Sequence, residues 1–168
     1  LMGVTMKRLG SDRGATAVLI AFSMVGLLAF GGLVMDGGNA FSQRRQMQNA
    51  ADSSATAGAN ALYRVKNSGD TADTIDAAAR QAAIANGANP TTVDCQLVST
   101  DGSMIRCEDA IAGPAGNLGD VWKVKVAVDR TSGTSLIRAV GIDSFTAKGG
   151  AAASLFAGTV ANSPFLLC

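Results

Sequence analysis

The 168-residue chain sets 14 Lys+Arg against 13 Asp+Glu, a net charge of +1, and contains no histidine. Balanced charge without a basic stripe removes the electrostatic case for nucleic acid. The missing imidazole removes the histidine general base, the serine and cysteine mechanisms built on it, and the commonest transition-metal ligand.

Glu108 is the only glutamate, and the aspartates are scattered singly through Ser/Gly/Thr-rich sequence, where caps and turns account for them. The expectation is therefore a protein with no catalytic residue, no metal, no cofactor and no small-molecule substrate.

In chain order, the first element is an apolar run. Residues 15–35 carry no charge, and at about 1.5 Å per residue they span about 31 Å, the thickness of bilayer hydrocarbon. A secretory apolar region is shorter, although the small-x-small triplet Gly38-Asn39-Ala40 offers one site for cleavage. A buried core helix would need a larger and less polar surrounding domain. The run reads as a single transmembrane helix. Lys7, Arg8 and Arg13 precede it, and the next basic residues are Arg44 and Arg45, a bias that puts the N-terminus in the cytoplasm. Gly26, Ala29, Gly31 and Gly32 give the span a small-residue flank on which another helix can pack closely.

Past Asp36 the sequence is rich in Ala and Gln and free of proline from residue 39 to residue 89. Phe41, Met47, Ala51, Ala55, Ala59 and Leu62 recur at helical spacing and predict a helix over about 40–63, able to continue the apolar run, with Gly37-Gly38 as the place for a bend. Residues 66–71 read as a loop. DTADTIDAAARQAAIANG then predicts a second helix capped by Asp70 or Thr71, with Ile75, Ala79, Ala82 and Ala83 on its apolar face and Gly87 at its C-terminal cap.

From residue 91 the pattern turns to strands. A turn at Thr100-Asp101-Gly102 sets Ser99 opposite Ser103, Leu97 opposite Ile105 and Cys95 opposite Cys107. Outside the cytoplasm the two thiols form a disulfide; in a reducing compartment they stay free. VWKVKVAV (121–128) alternates with Trp122, Val124, Val126 and Val128 on one face and Lys123 and Lys125 on the other. Turn residues 129–133 lead to SLIRAVG, a short helix with Leu136, Ile137 and Val140 inward. DSFTAKGGAAASL forms the last strand, weakened by Gly149-Gly150. The tail after residue 155 is too short and broken to span a bilayer, and Cys168 is either free or a cross-link to a partner.

The order of these features resembles the TadE/TadG-like family of tight-adherence (Flp) pilus assembly proteins. The residues that carry the resemblance are RGATAVLIAF (13–22) and MDGGNAFSQRRQMQNAADSSATAGANAL (35–62). In that family an Arg-Gly-Ala start opens an apolar helix and an aspartate closes it. Arg13, Gly14 and Asp36 occupy those places here. The following R-R-Q-x-Q-N-A-A-D-x-x-A-x-A-G-A pattern is occupied by Arg44, Arg45, Gln46, Gln48, Asn49, Ala50, Ala51, Asp52, Ala55, Ala57, Gly58 and Ala59. The resemblance implies a pseudopilin-like protein that helps assemble an adhesive pilus. Pilin-like members cut after the glycine carry a glutamate five residues later, and Leu19 stands there instead. With residues 1–14 ahead of the run, this implies an uncut, anchored protein.

The reading that results is an α+β chain in four parts. These are a cytoplasmic basic segment (1–14), a transmembrane helix (15–35), a helical stalk (36–66) and an exported domain (67–168) holding a second small helix and a small antiparallel sheet. It sits in a bacterial inner membrane, N-terminus in. Its partners are membrane lipids and other membrane or pilus-assembly proteins, met through the transmembrane and stalk helices. The alternative is an accessory structural subunit packed by its transmembrane helix on another inner-membrane complex, respiratory or photosynthetic for example.

Overall fold

The computed structural model describes residues 12–113 and 116–155. Lys7, Arg8 and Cys168 lie outside the described residues, as does the side chain of Arg13. The architecture is α+β: a long N-terminal helix, a second small helix and a four-stranded antiparallel sheet.

Helix α1 runs Asp12–Ser68, 57 residues, with helical assignment unbroken through Gly37-Gly38. No proline interrupts it, and it stops where Gly69 turns left-handed at φ 76°. Its end therefore lies five residues beyond the expected Tyr63. The extra turn is held by Lys66, whose ammonium donates to the carbonyls of Gly119 at 3.1 Å and Val121 at 2.5 Å. Helix α2 is Asp73–Ala85. Neither Asp70 nor Thr71 caps it: the N-cap is Ala72, and Asp70 instead pairs with Arg64 at 3.1 Å. The far end follows the expectation. Gly87 is left-handed, its N–H donates to Ile84 O and the N–H of Ala88 to Ala83 O, which closes a Schellman motif.

The strands are β1 (Asp94–Ser99), β2 (Met104–Arg106), β3 (Val121–Gly133) and β4 (Ser144–Ser154), in the order β2-β1-β3-β4. The hairpin register pairs Leu97 with Ile105, as the turn predicted. Two expectations are corrected. β3 continues through residues 129–133 instead of turning there, because its pairing outlasts its apolar alternation. The alternation also slips between Val98 and Ser99, where Ser99 pairs with Val121 and Trp122 is left as the extra residue of a bulge. Val121, Val124, Val126 and Val128 are buried; Trp122 is half-buried and donates its indole N–H to Ser99 O at 3.2 Å.

The chain divides into two compact units. One holds α1 from Phe41 onward together with α2 and the sheet, and the other holds α1 up to Ala40 and the segment Gly133–Phe145. In the larger unit α1 buries Met47, Ala50, Ala51, Ser54, Ala55 and Leu62, while Phe41 is exposed, a turn too early to reach the core. Small residues let backbones meet. Ser54 Oγ donates to Ala79 O at 2.5 Å, and a Cβ at Gly58 would lie 3.0 Å from Val124 Cγ1. A Cβ at Gly149 would come within 2.1 Å of Met47 O. Gly149-Gly150 thus serves as the contact between β4 and α1, and the strand runs through both glycines.

In the smaller unit the helix is long and apolar enough to cross a membrane. Its best window has mean hydropathy 2.4 and is only 6% buried. A core helix of a soluble domain would be mostly covered. The helix SLIRAVG becomes a single 3-10 turn, Ile137–Val140, closed by left-handed Gly141. Leu136, expected inward, is half-exposed.

Candidate functional site

Asp36, one residue beyond the uncharged run, is 5% exposed and accepts three successive backbone N–H groups. Ser135 N–H reaches Oδ1 at 3.0 Å, and Leu136 and Ile137 N–H both reach Oδ2 at 2.8 Å. These amides open the 3-10 turn, where no intrahelical acceptor exists for them, so a carboxylate completes what the turn leaves unpaired. The hydrogen bonds from Ile137 and Ser135 hold the Asp36 carboxyl below the usual carboxylate range, against a smaller opposing effect of burial.

The segment that supplies the amides is shaped by its own bonds. Thr134 N–H donates to Asp143 O at 3.0 Å, Thr134 Oγ1 donates to Ile142 O, and Gly141 N–H donates to Arg138 O at 3.0 Å. Arg138 pairs with Asp143 at 3.2 Å. Together these close the ends of the segment into a loop whose tip carries Leu136 and Ile137.

Leu136 rests on Gly32, where any Cβ would lie 2.7 Å from Leu136 Cβ. Below it is an apolar groove of about 470 Å³, floored by Val25, Leu28, Ala29 and Leu33 and walled by Leu136 and Ala139. Two of the four small residues read as a helix-packing flank, Ala29 and Gly32, thus face this loop within the chain. Nothing described lies within 4 Å of a Cβ built at Gly26 or Gly31.

The remaining motif residues divide by packing. Ala50 and Ala51 are fully buried, and Arg44, Arg45, Gln46, Asn49 and Asp52 are exposed. Gln48 ties the helix to β4, donating to Asp52 Oδ1 at 3.2 Å and to Gly150 O at 3.1 Å. Among the described residues nothing lies within 4 Å of a Cβ built at Gly14. Cys95 and Cys107 form a disulfide with Cα atoms 5.4 Å apart, set by the hairpin register.

Sequence reasoning missed the amides of Ser135–Ile137 and the bond from Ser132 Oγ to Gln43 Oε1 at 2.7 Å. The only local signal was the short helix ending in Gly141; its partner lies about a hundred residues away and leaves no mark on that stretch.

The family model Tad, described as Flp pilus-assembly TadE/G-like, matches residues 14–61. The match covers the apolar run, Asp36 and the small-residue face, and stops short of α2 and the strands. No curated protein and no solved structure matches the chain. A pilus-assembly-like segment supports a pilus-related role, and the matched family is one of structural and assembly proteins rather than enzymes.

Proposed function

We propose that this protein is a single-pass, membrane-anchored assembly or structural component of a Tad-type (Flp) pilus system. It is held in the bacterial inner membrane by residues 15–35, with residues 1–14 in the cytoplasm and the rest outside. The observation that carries the reading is the family match over residues 14–61, which begins where the apolar run begins and includes the aspartate that ends it. Three features support it. The apolar window is bare of protein cover, as a lipid-facing helix must be. The Cys95–Cys107 disulfide suits an oxidising compartment. The Arg and Lys bias favours the N-terminus inside.

The protein acts uncut in this reading, because the filament-forming glutamate is replaced by Leu19. The partners are other membrane or pilus-assembly proteins, engaged through the helix. Affinity purification from native membranes with partner identification tests this. The expected companions are pilus machinery and its secretion ATPase; an unrelated integral-membrane complex with neither of them overturns the assignment.

A further inference from the structure

We propose that the segment Gly133–Phe145 is a second membrane contact, a clamped loop that seats Leu136, Ala139 and Ile142 among the acyl chains of the outer leaflet. The inference rests on the membrane-anchored reading above, and adds to it a part of the chain far from the apolar helix in sequence.

Position along the helix carries it. The loop is fastened at Asp36, yet it lies toward the N-terminal side of that residue, on Gly32 and over a groove that reaches Val25. At 1.5 Å per residue, Gly32 is about 6 Å and Val25 about 16 Å below Asp36. With a hydrocarbon core about 30 Å thick and a span ending near residue 35, Gly32 falls within the outer leaflet and Val25 at the bilayer midplane. A loop folded down along that stretch shares its solvent. If the helix is in lipid, the loop tip is too.

The chemistry of the loop agrees. Leu136 and Ile142 are 50% and 52% exposed, and Ala139 is exposed beside them. In lipid, backbone polar groups need partners within the protein. The N–H groups of Thr134, Ser135, Leu136, Ile137, Ala139 and Gly141 all donate within this unit, three of them to Asp36. The two charged side chains of the segment, Arg138 near the tip and Asp143 at its closing end, pair with each other, and the long stem of Arg138 lets its guanidinium rise to the headgroups. The groove is continuous with the exposed surface of Val25 and Leu28, so the occupant that covers those residues, an acyl chain, also fills it.

The test uses the full chain with Cys168→Ser, reconstituted in phosphatidylcholine/phosphatidylglycerol vesicles containing lipids spin-labelled along the acyl chain. Single cysteines bearing a small fluorophore are placed by Leu136→Cys in the loop, Leu27→Cys in the helix and Met104→Cys on β2. Ile142→Cys provides a second loop position should the first disturb folding. Quenching of the loop labels at least about twofold above the Met104→Cys label, and near that of Leu27→Cys, is expected. Loop labels as weakly quenched as Met104→Cys, with Leu27→Cys strongly quenched, leave the anchor standing and overturn the loop contact. Weak quenching at Leu27→Cys as well overturns the anchor, and the loop contact with it.

Discussion

The carboxylate of Asp36 takes the N–H of Ile137 at 2.8 Å across 101 residues of sequence, and takes those of Ser135 and Leu136 beside it. One side chain at the end of the apolar run therefore fixes the path of a distant loop. Hydrogen bonds to an ionised acceptor are stronger than neutral ones, and three amides left bare would be costly. Asp36→Ala should speed hydrogen exchange at the amides of residues 135–137 by about tenfold or more, with the β1 amides unchanged. Equal protection in wild type and variant would show that the clamp holds nothing.

The clamp should be acid-sensitive in a defined sense. The folded-state pKa of Asp36 lies below its ordinary value of 3.8, because backbone N–H groups favour the charged form. A depressed carboxylate contributes stability that is complete above the ordinary value and is lost as pH falls through the folded one. Loop protection in wild type should hold from neutrality to about pH 4 and fall away below it. Asp36→Asn should show a lower, flat profile over that window. Asp101 is likewise held down by Ser103, so the hairpin turn gives an internal comparison that Asp36→Asn leaves unchanged.

Gly149 on β4 and Gly58 within α1, both at close contacts, should behave differently when replaced by alanine. Gly149→Ala drives a Cβ into the backbone carbonyl of Met47, which cannot move aside, and should cost about 3 kcal/mol or more. At Gly58 the obstacle is a Val124 methyl at 3.0 Å, and alanine gains about 1 kcal/mol of helix propensity. Gly58→Ala should therefore stay within about 1 kcal/mol of wild type. Urea titrations of both variants check the contrast.

Reducing the hairpin disulfide should destabilise the larger unit by about 2–3 kcal/mol, as expected for a short loop of sequence separation 12. A Cys95→Ala/Cys107→Ala variant in denaturant melts measures it. Free thiols recovered at both positions from native membranes would contradict the pairing and remove one support for export.

Orientation has its own measurement. A cysteine from Ser68→Cys should react with an impermeant maleimide in spheroplasts, and one from Thr5→Cys should not, by the bias of basic residues. The opposite pattern inverts the topology.

What the sequence made legible follows from how locally each feature is encoded. The turn at Asp101-Gly102 determines its own register, so Leu97–Ile105 and the disulfide could be read directly. The Schellman end at Gly87 is equally local. Features that depend on a remote neighbour were not legible. Helix α1 persists to Ser68 because Lys66 meets the carbonyls of Gly119 and Val121, 53 and 55 residues away, at the entry to β3. Trp122 leaves the buried face because of a bulge that only the pairing with β1 creates. Asp36 was singled out by resemblance alone; its physical role depends on amides supplied by a segment that looked like an ordinary short helix.

The alanine, serine and glycine face of α1 has a calorimetric corollary. Burying alanine removes little apolar surface from water and fixes no side-chain rotamer, so cohesion here depends on close backbone approach rather than on large hydrophobes. Unfolding the larger unit should then expose less apolar area per residue than usual, with a heat-capacity increment below the common value of about 12–15 cal/mol/K per residue. A smaller increment flattens the curve of stability against temperature. Cold weakens such a domain less than it weakens one held together by leucine and phenylalanine.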